Sequence, residues 1–152
     1  MYWWVAAVAG EKRFDFLEHT ADVYIAAYGK NLKEAFENAA FAMFETMTDT
    51  TDVKHECEDT IEVEGDDMES LLYNWLESLL VKFEIENMLY SGFNVLSIER
   101  INGKLRLKAK IYGEQFDPER HKQKVGIKAV TYHRMEIDER PGEVTMKFIL
   151  DI

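Results

Sequence analysis

One cysteine in the whole chain, Cys57, rules out an intrachain disulfide and fits a reducing compartment. As a lone thiol it reads as a small buried or half-buried apolar residue rather than a reactive group. Basic charge is scarce: 18 Lys and Arg stand against 29 Asp and Glu, a net charge of −11. Phosphate contacts supply most non-specific nucleic-acid affinity, so a chain this acidic is not expected to hold RNA stably by itself. No long apolar run is present. The opening stretch Met1-Tyr-Trp-Trp-Val-Ala-Ala-Val-Ala9 lacks a preceding basic residue and is about half the ~18 residues a membrane span needs. It reads as an added strand or tail, and the expectation is a cytoplasmic protein with no membrane association. Also missing are G-x-G-x-x-G, G-x-x-x-x-G-K-[ST], G-x-S-x-G, H-E-x-x-H and any Cys/His zinc spacing. His55 lies near Cys57 in sequence, but nothing else supports a nucleophile–base pair there.

What is present is a chain of 152 residues, 47% apolar and 31% charged, which suits one compact globular domain. Short strands are expected at Phe14–Leu17 and Asp22–Tyr28. Asn31 with Glu34 forms a capping-box pattern ahead of Leu32, Ala35, Phe36, Ala39, Ala40, Met43, Phe44 and Met47, whose spacing predicts an amphipathic helix. After a loop and a strand at Thr60–Glu64, Asp66 and Glu69 predict a second capped helix with Met68, Leu71, Leu72, Trp75, Leu79, Leu80 and Phe83 inward. Strands Phe93–Ile101 and Leu105–Tyr112 meet at Asn102-Gly103, a strong hairpin signal. Two more, Val125–Ile137 and Val144–Ile152, turn at Pro141-Gly142. No repeats are evident. The order implies an α+β fold with two amphipathic helices on mostly antiparallel sheet.

Three groups of residues could carry chemistry. Glu18-His19-Thr20-Ala21-Asp22 sets two acids and an imidazole at the turn before a strand, which by itself reads first as a polar turn. Asp151-Ile152 ends a strand with a side-chain carboxylate beside the terminal one. Such anions repel when desolvated, and a hard divalent cation would resolve this, although many chains simply end in solvent. Charge is also uneven: residues 1–99 carry 6 basic and 21 acidic side chains, residues 100–134 carry 10 basic and 3 acidic. The basic run Arg120–Lys124 and the acidic run Glu56–Glu69 both read first as solvated faces, and only second as docking surfaces.

Together FLEHTADV (16–23), GKNLKEAFENAAFAMF (29–44), VEGDDMESLLYNWLESLL (63–80), GEQFDPERHKQKVGIKAVTYH (113–133) and the terminal ILDI resemble the archease family. The resemblance spans residues 14–152; residues 1–13 form an extension of unassigned role. It implies a non-catalytic activator of an RtcB-type tRNA ligase that promotes guanylylation of the ligase and its repeated turnover in tRNA splicing. Carried over, the metal ligands fall on Asp22, Asp151 and Ile152 (terminal carboxylate or main chain), with Ca2+ the expected ion and Mn2+ or Mg2+ as competitors. His19, Lys128 and His133 are candidates for partner contact or for ordering the site. The rival readings are a metal-dependent hydrolase or nuclease with His19 or His133 as base, and an RNA-binding module using residues 100–134.

Overall fold

The computed structural model describes residues 12–17 and 22–152. Seven strands and two helices follow in the order β1 (Phe14–Leu17), β2 (Val23–Gly29), α1 (Leu32–Met47), β3 (Cys57–Gly65), α2 (Met68–Glu86), β4 (Met88–Ile101), β5 (Lys104–Gln115), β6 (Ala129–Arg140) and β7 (Glu143–Asp151). A short 3-10 turn, Thr50–Asp52, follows α1. The strands form a four-stranded sheet, β1-β2-β7-β6, and a three-stranded sheet, β3-β5-β4. Every strand pair is antiparallel. Both helices pack against strands of both sheets, α1 on β2 and β4, α2 on β6 and β3. The fold is α+β, with a helical layer between two sheets.

This placement explains why the helices are apolar on more than one face. Phe36, Phe44, Trp75 and Leu76 are fully buried, together with Phe148 of the larger sheet and Tyr90 of the smaller. Trp75 carries its one polar atom inward, and its indole N–H donates to the Phe36 carbonyl at 2.9 Å. That bond joins the helices and removes the cost of a buried unpaired donor.

The two halves reuse one local device. β2 ends at Gly29 and β3 at Gly65; each is followed two positions later by a capping residue, Asn31 or Asp67. Asn31 accepts from the Glu34 N–H at 2.9 Å, and Asp67 accepts from the Ser70 N–H at 2.8 Å. The second cap is therefore Asp67 in a box with Ser70, not the expected Asp66 with Glu69. A Cβ on Gly29 would lie 2.4 Å from the Ala35 backbone nitrogen, and one on Gly65 would lie 2.5 Å from that of Leu71. Strand end and helix start touch too closely for any side chain. Gly65→Ala is expected to destabilise by about 1–3 kcal/mol, since the obstacle is backbone. A urea melt of the variant checks this: an unchanged midpoint would show that the turn relaxes freely.

Other boundaries shift from the expectation, β3 and β4 starting earlier and β6 later. β4 begins at Met88, because α2 stops at left-handed Asn87 (φ 59) and the chain pairs with β5 at once. β3 begins at Cys57. β6 begins at Ala129 rather than Val125, and residues 122–128 run as irregular chain. Cys57 is exposed, contrary to the buried or half-buried expectation, because it opens an edge strand at a position facing out. The Asn102-Gly103 turn forms as expected, with both residues at positive φ (53 and 80). No described helix is long and apolar enough to cross a membrane.

Candidate functional site

One end of the larger sheet gathers the chain terminus and the start of β2. β2 and β7 pair from Gly29–Val144 to Val23–Leu150. Extended one step beyond its last pair, this register places Asp22, just outside β2, opposite Asp151. On the other side of β7, Asp151 pairs with Ala129 of β6, and the Lys128 N–H donates to the Asp151 carbonyl at 2.7 Å. Ile152 follows immediately and packs its side chain on the core, which anchors the chain end. Asp22 and Asp151 are each half-buried, and the Lys128 side chain is exposed. Residues from sequence positions 22, 128, 151 and 152 thus converge at one sheet end. His19 lies outside the described residues. Among the described residues, no three side chains of the His, Cys, Asp and Glu types come together to hold a metal.

His133 is not at this end. It sits further along β6 in a large bulge, where the register jumps from Thr131–Ile149 to Glu136–Lys147. Arg134 there adopts a left-handed φ of 59, and its guanidinium lies 4.9 Å from the ring centroid of Tyr24. Tyr132 stacks on Tyr73 of α2, centroids 4.4 Å apart and planes 6° from parallel. Period-two alternation could not foresee this segment, because a bulge breaks the period.

The segment leading to Lys128 is held by a buried polar hub. Glu114 and His121 are 5% and 2% exposed. The Asp117 N–H donates to His121 Nδ1 at 2.9 Å, so the ring proton sits on Nε2, which donates to Glu114 Oε2 at 2.9 Å. Glu114 Oε2 also accepts from the Lys54 N–H at 2.8 Å, and Glu114 Oε1 pairs with Arg120. Burial alone would raise the Glu114 pKa; the bonds from Arg120, the Lys54 N–H and His121 together outweigh it and hold the group at about 2. The run Arg120–Lys124 is solvent-exposed as expected except at His121, which is interior, and its Lys124 pairs with Glu45 at 3.0 Å. Nothing in the one-dimensional charge pattern distinguishes a buried imidazole from an exposed one.

The acidic run Glu56–Glu69 also meets basic side chains of β5. Across β3 and β5, Arg106 pairs with Glu64 at 2.7 Å, Lys104 with Asp66 at 3.0 Å, Lys110 with Glu58 at 3.5 Å and Lys108 with Glu62 at 3.9 Å. Much of the basic excess of residues 100–134 is thereby neutralised in place.

An α+β domain with a helical layer between two antiparallel sheets and an acidic sheet end defines the class of protein. Residues 14–152 match the model of the Archease protein family (MTH1598/TM1083), and the chain belongs to that family. It is 48% identical to the protein archease of Sulfolobus acidocaldarius over 140 residues, which cover 92% of this chain and 99% of that one. The archease of Pyrococcus abyssi is 47% identical over 142 residues, 93% of this chain and 99% of the relative. Among solved structures, Methanobacterium thermoautotrophicum protein 1598 superposes with a TM-score of 0.81 at 42% identity, covering 92% of this chain and 99% of the other. A Thermotoga maritima archease, described as a possible chaperone, shares the fold alone at 18% identity and TM-score 0.57.

Proposed function

We propose that this protein is a non-catalytic activator of an RtcB-type RNA ligase, and that Asp22, Asp151 and the terminal carboxylate of Ile152 hold one calcium-class ion. The observation that supports the site is the β2–β7 register, which carries Asp22 to a position across from Asp151. The third anionic group in this reading is the terminal carboxylate of Ile152. All three donors are hard oxygens, and water or carbonyls would complete the ~6–8 ligands calcium takes. Bound, the ion would neutralise mutually repelling carboxylates and tie the β2 turn to the chain end. The residues themselves do the positioning: Ile152 anchors the terminus in the core, and Lys128 fixes the Asp151 main chain.

The partner reading rests on charge and on family membership. A net charge of −11 favours docking on a basic enzyme that itself holds RNA. The pairing of the β5 cations Lys104, Arg106, Lys108 and Lys110 with β3 and Asp66 argues against the rival RNA-binding module. The deciding experiment is a guanylylation and ligation assay with limiting ligase, with and without this protein. Acceleration of guanylylation and multiple turnovers support the activator. RNA cleavage by this protein alone with metal would instead establish the hydrolase.

The terminal carboxylate gives a separate prediction. Appending residues after Ile152 moves that group away, so a C-terminal tag is expected to abolish most activation while an N-terminal tag leaves it intact. Equal activation by the two tagged forms would remove Ile152 from the ligand set, leaving the aspartates to be judged by themselves.

A further inference from the structure

Tyr132 is 52% exposed, yet it is held in a fixed plane. One ring face lies flat on Tyr73, so its exposure falls on the opposite face and edge. The bulge that carries it interrupts an edge strand of the larger sheet, and Arg134 in the left-handed region closes it. Non-glycine residues with positive φ are uncommon, and bulges re-aim side chains. Neither the core nor the acidic sheet end uses this ring.

Its surroundings are acidic. The Tyr132 phenol sits above its ordinary pKa through partial burial, then through Tyr73 and the negative charge of Asp67. Asp67 caps α2, and exposed Glu69 in its first turn stands one helical turn before Tyr73, on the helix face whose ring Tyr132 stacks upon. On the bulge itself the exposed neighbours are His133 and Arg134, the latter turned toward Tyr24. An open, electron-rich ring face next to carboxylates attracts a flat cation. A guanidinium satisfies both demands, because it stacks on aromatic faces and forms paired bonds to carboxylates. A nucleobase would also stack, but its phosphates would approach Asp67, Glu69 and a body of charge −11.

We infer that the Tyr132 face is a docking site for an arginine side chain of a basic protein partner, with Glu69 supplying the counter-charge. This rests on the activator reading for the partner's identity, though not for the chemistry of the site. Tyr73 is the positioning residue, since it covers the other ring face and removes the freedom Tyr132 would otherwise lose on binding.

The test uses the full chain and three small probes, L-argininamide, L-lysinamide and adenosine monophosphate, followed by NMR of the tyrosine ring signals. Argininamide is expected to shift the Tyr132 and Tyr73 signals saturably. Tyr132→Leu or Glu69→Gln should weaken its apparent affinity about two- to fivefold, the range of an exposed cation–π contact. An equal response to lysinamide would mean that the site reads charge alone, and a response to the mononucleotide would make it a base platform; either overturns the inference, as does no response to argininamide. In the ligase assay, Tyr132→Leu should raise the concentration of this protein needed for half-maximal activation without changing its calcium affinity. If the wild-type chain activates no ligase, the proposed function fails while the argininamide result still stands.

Discussion

Asp22→Asn and Asp151→Asn are each expected to abolish most activation of the ligase while leaving the protein folded. Each substitution keeps the shape of the side chain and removes one anionic oxygen. Residues that merely orient a metal ligand change affinity by about 10–100-fold, so loss of a charged ligand should cost at least that. Calcium titration of the two variants, read by calorimetry, measures it directly. The same binding should appear as stabilisation of the wild-type chain. At a free ion concentration 100 times Kd, mass action contributes about 2.7 kcal/mol, because the unfolded chain lacks the assembled site. Both variants should lose that calcium-dependent rise in Tm. Full activation by both would sink the site, and a fall in Tm without calcium would expose a structural role instead.

Glu114→Ala is the substitution expected to cost the most stability. It would leave the His121 Nε2–H buried without an acceptor and remove the acceptor of the half-buried Lys54 N–H and the partner of Arg120, a loss on the order of 3 kcal/mol. For a chain this size that is a Tm decrease of roughly 6–12 °C. Exposed pairs such as Lys108–Glu62 are far less important, since water screens them. Glu114→Gln gives the pH test. The carboxyl has a pKa of about 2 in the folded protein against an ordinary 4.5, so folding favours its ionised form. That contribution is fully present above about pH 4.5 and is lost as pH falls toward 2. The stability gap between wild type and Glu114→Gln should therefore be constant from neutrality down to about pH 4.5 and then close. Thermal melts of both proteins across this range test it, and a gap that persists at pH 2 would show that the ionised carboxylate is not what stabilises the hub.

Loss of Glu114 should also reach the candidate site. The hub fixes the chain from Phe116 to His121, and the chain that continues from it reaches Lys128, whose N–H holds the Asp151 carbonyl. Looser anchoring there should weaken calcium binding less than either aspartate substitution does.

How much of this could be read in the residues varies with the range of the interaction. Helix α1 is legible almost to the residue, because the Asn31 cap and the Leu32–Met47 stripe act within a few residues of one another, although the Glu34 carboxylate accepts from the Lys30 N–H rather than completing the expected box on Asn31. The Asn102-Gly103 hairpin is legible for the same reason: two positive φ angles need those residue types. The cap of α2 is missed by one position, since Asp66 and Asp67 are equally good caps and only packing against Gly65 selects between them. The strand–glycine–cap–helix unit occurs twice on a short shared pattern, Gly29-Lys-Asn31-Leu32 and Gly65-Asp-Asp67-Met68, but the backbone contact that requires each glycine is visible only in the structure.

By itself, the sequence determined the two helices, the main hairpins, the α+β class, and the acidic residues at Asp22 and Asp151. Those follow from periodicity, turn chemistry and composition, which are local. Tertiary structure alone decided that the helices lie between two sheets, that the β5 cations pair with Glu58, Glu62, Glu64 and Asp66, and that His121 is interior. It also decided that positions 22 and 151 fall at the same sheet end, because strand pairing joins residues by register rather than by distance along the chain, and no local pattern encodes which strand a strand will choose.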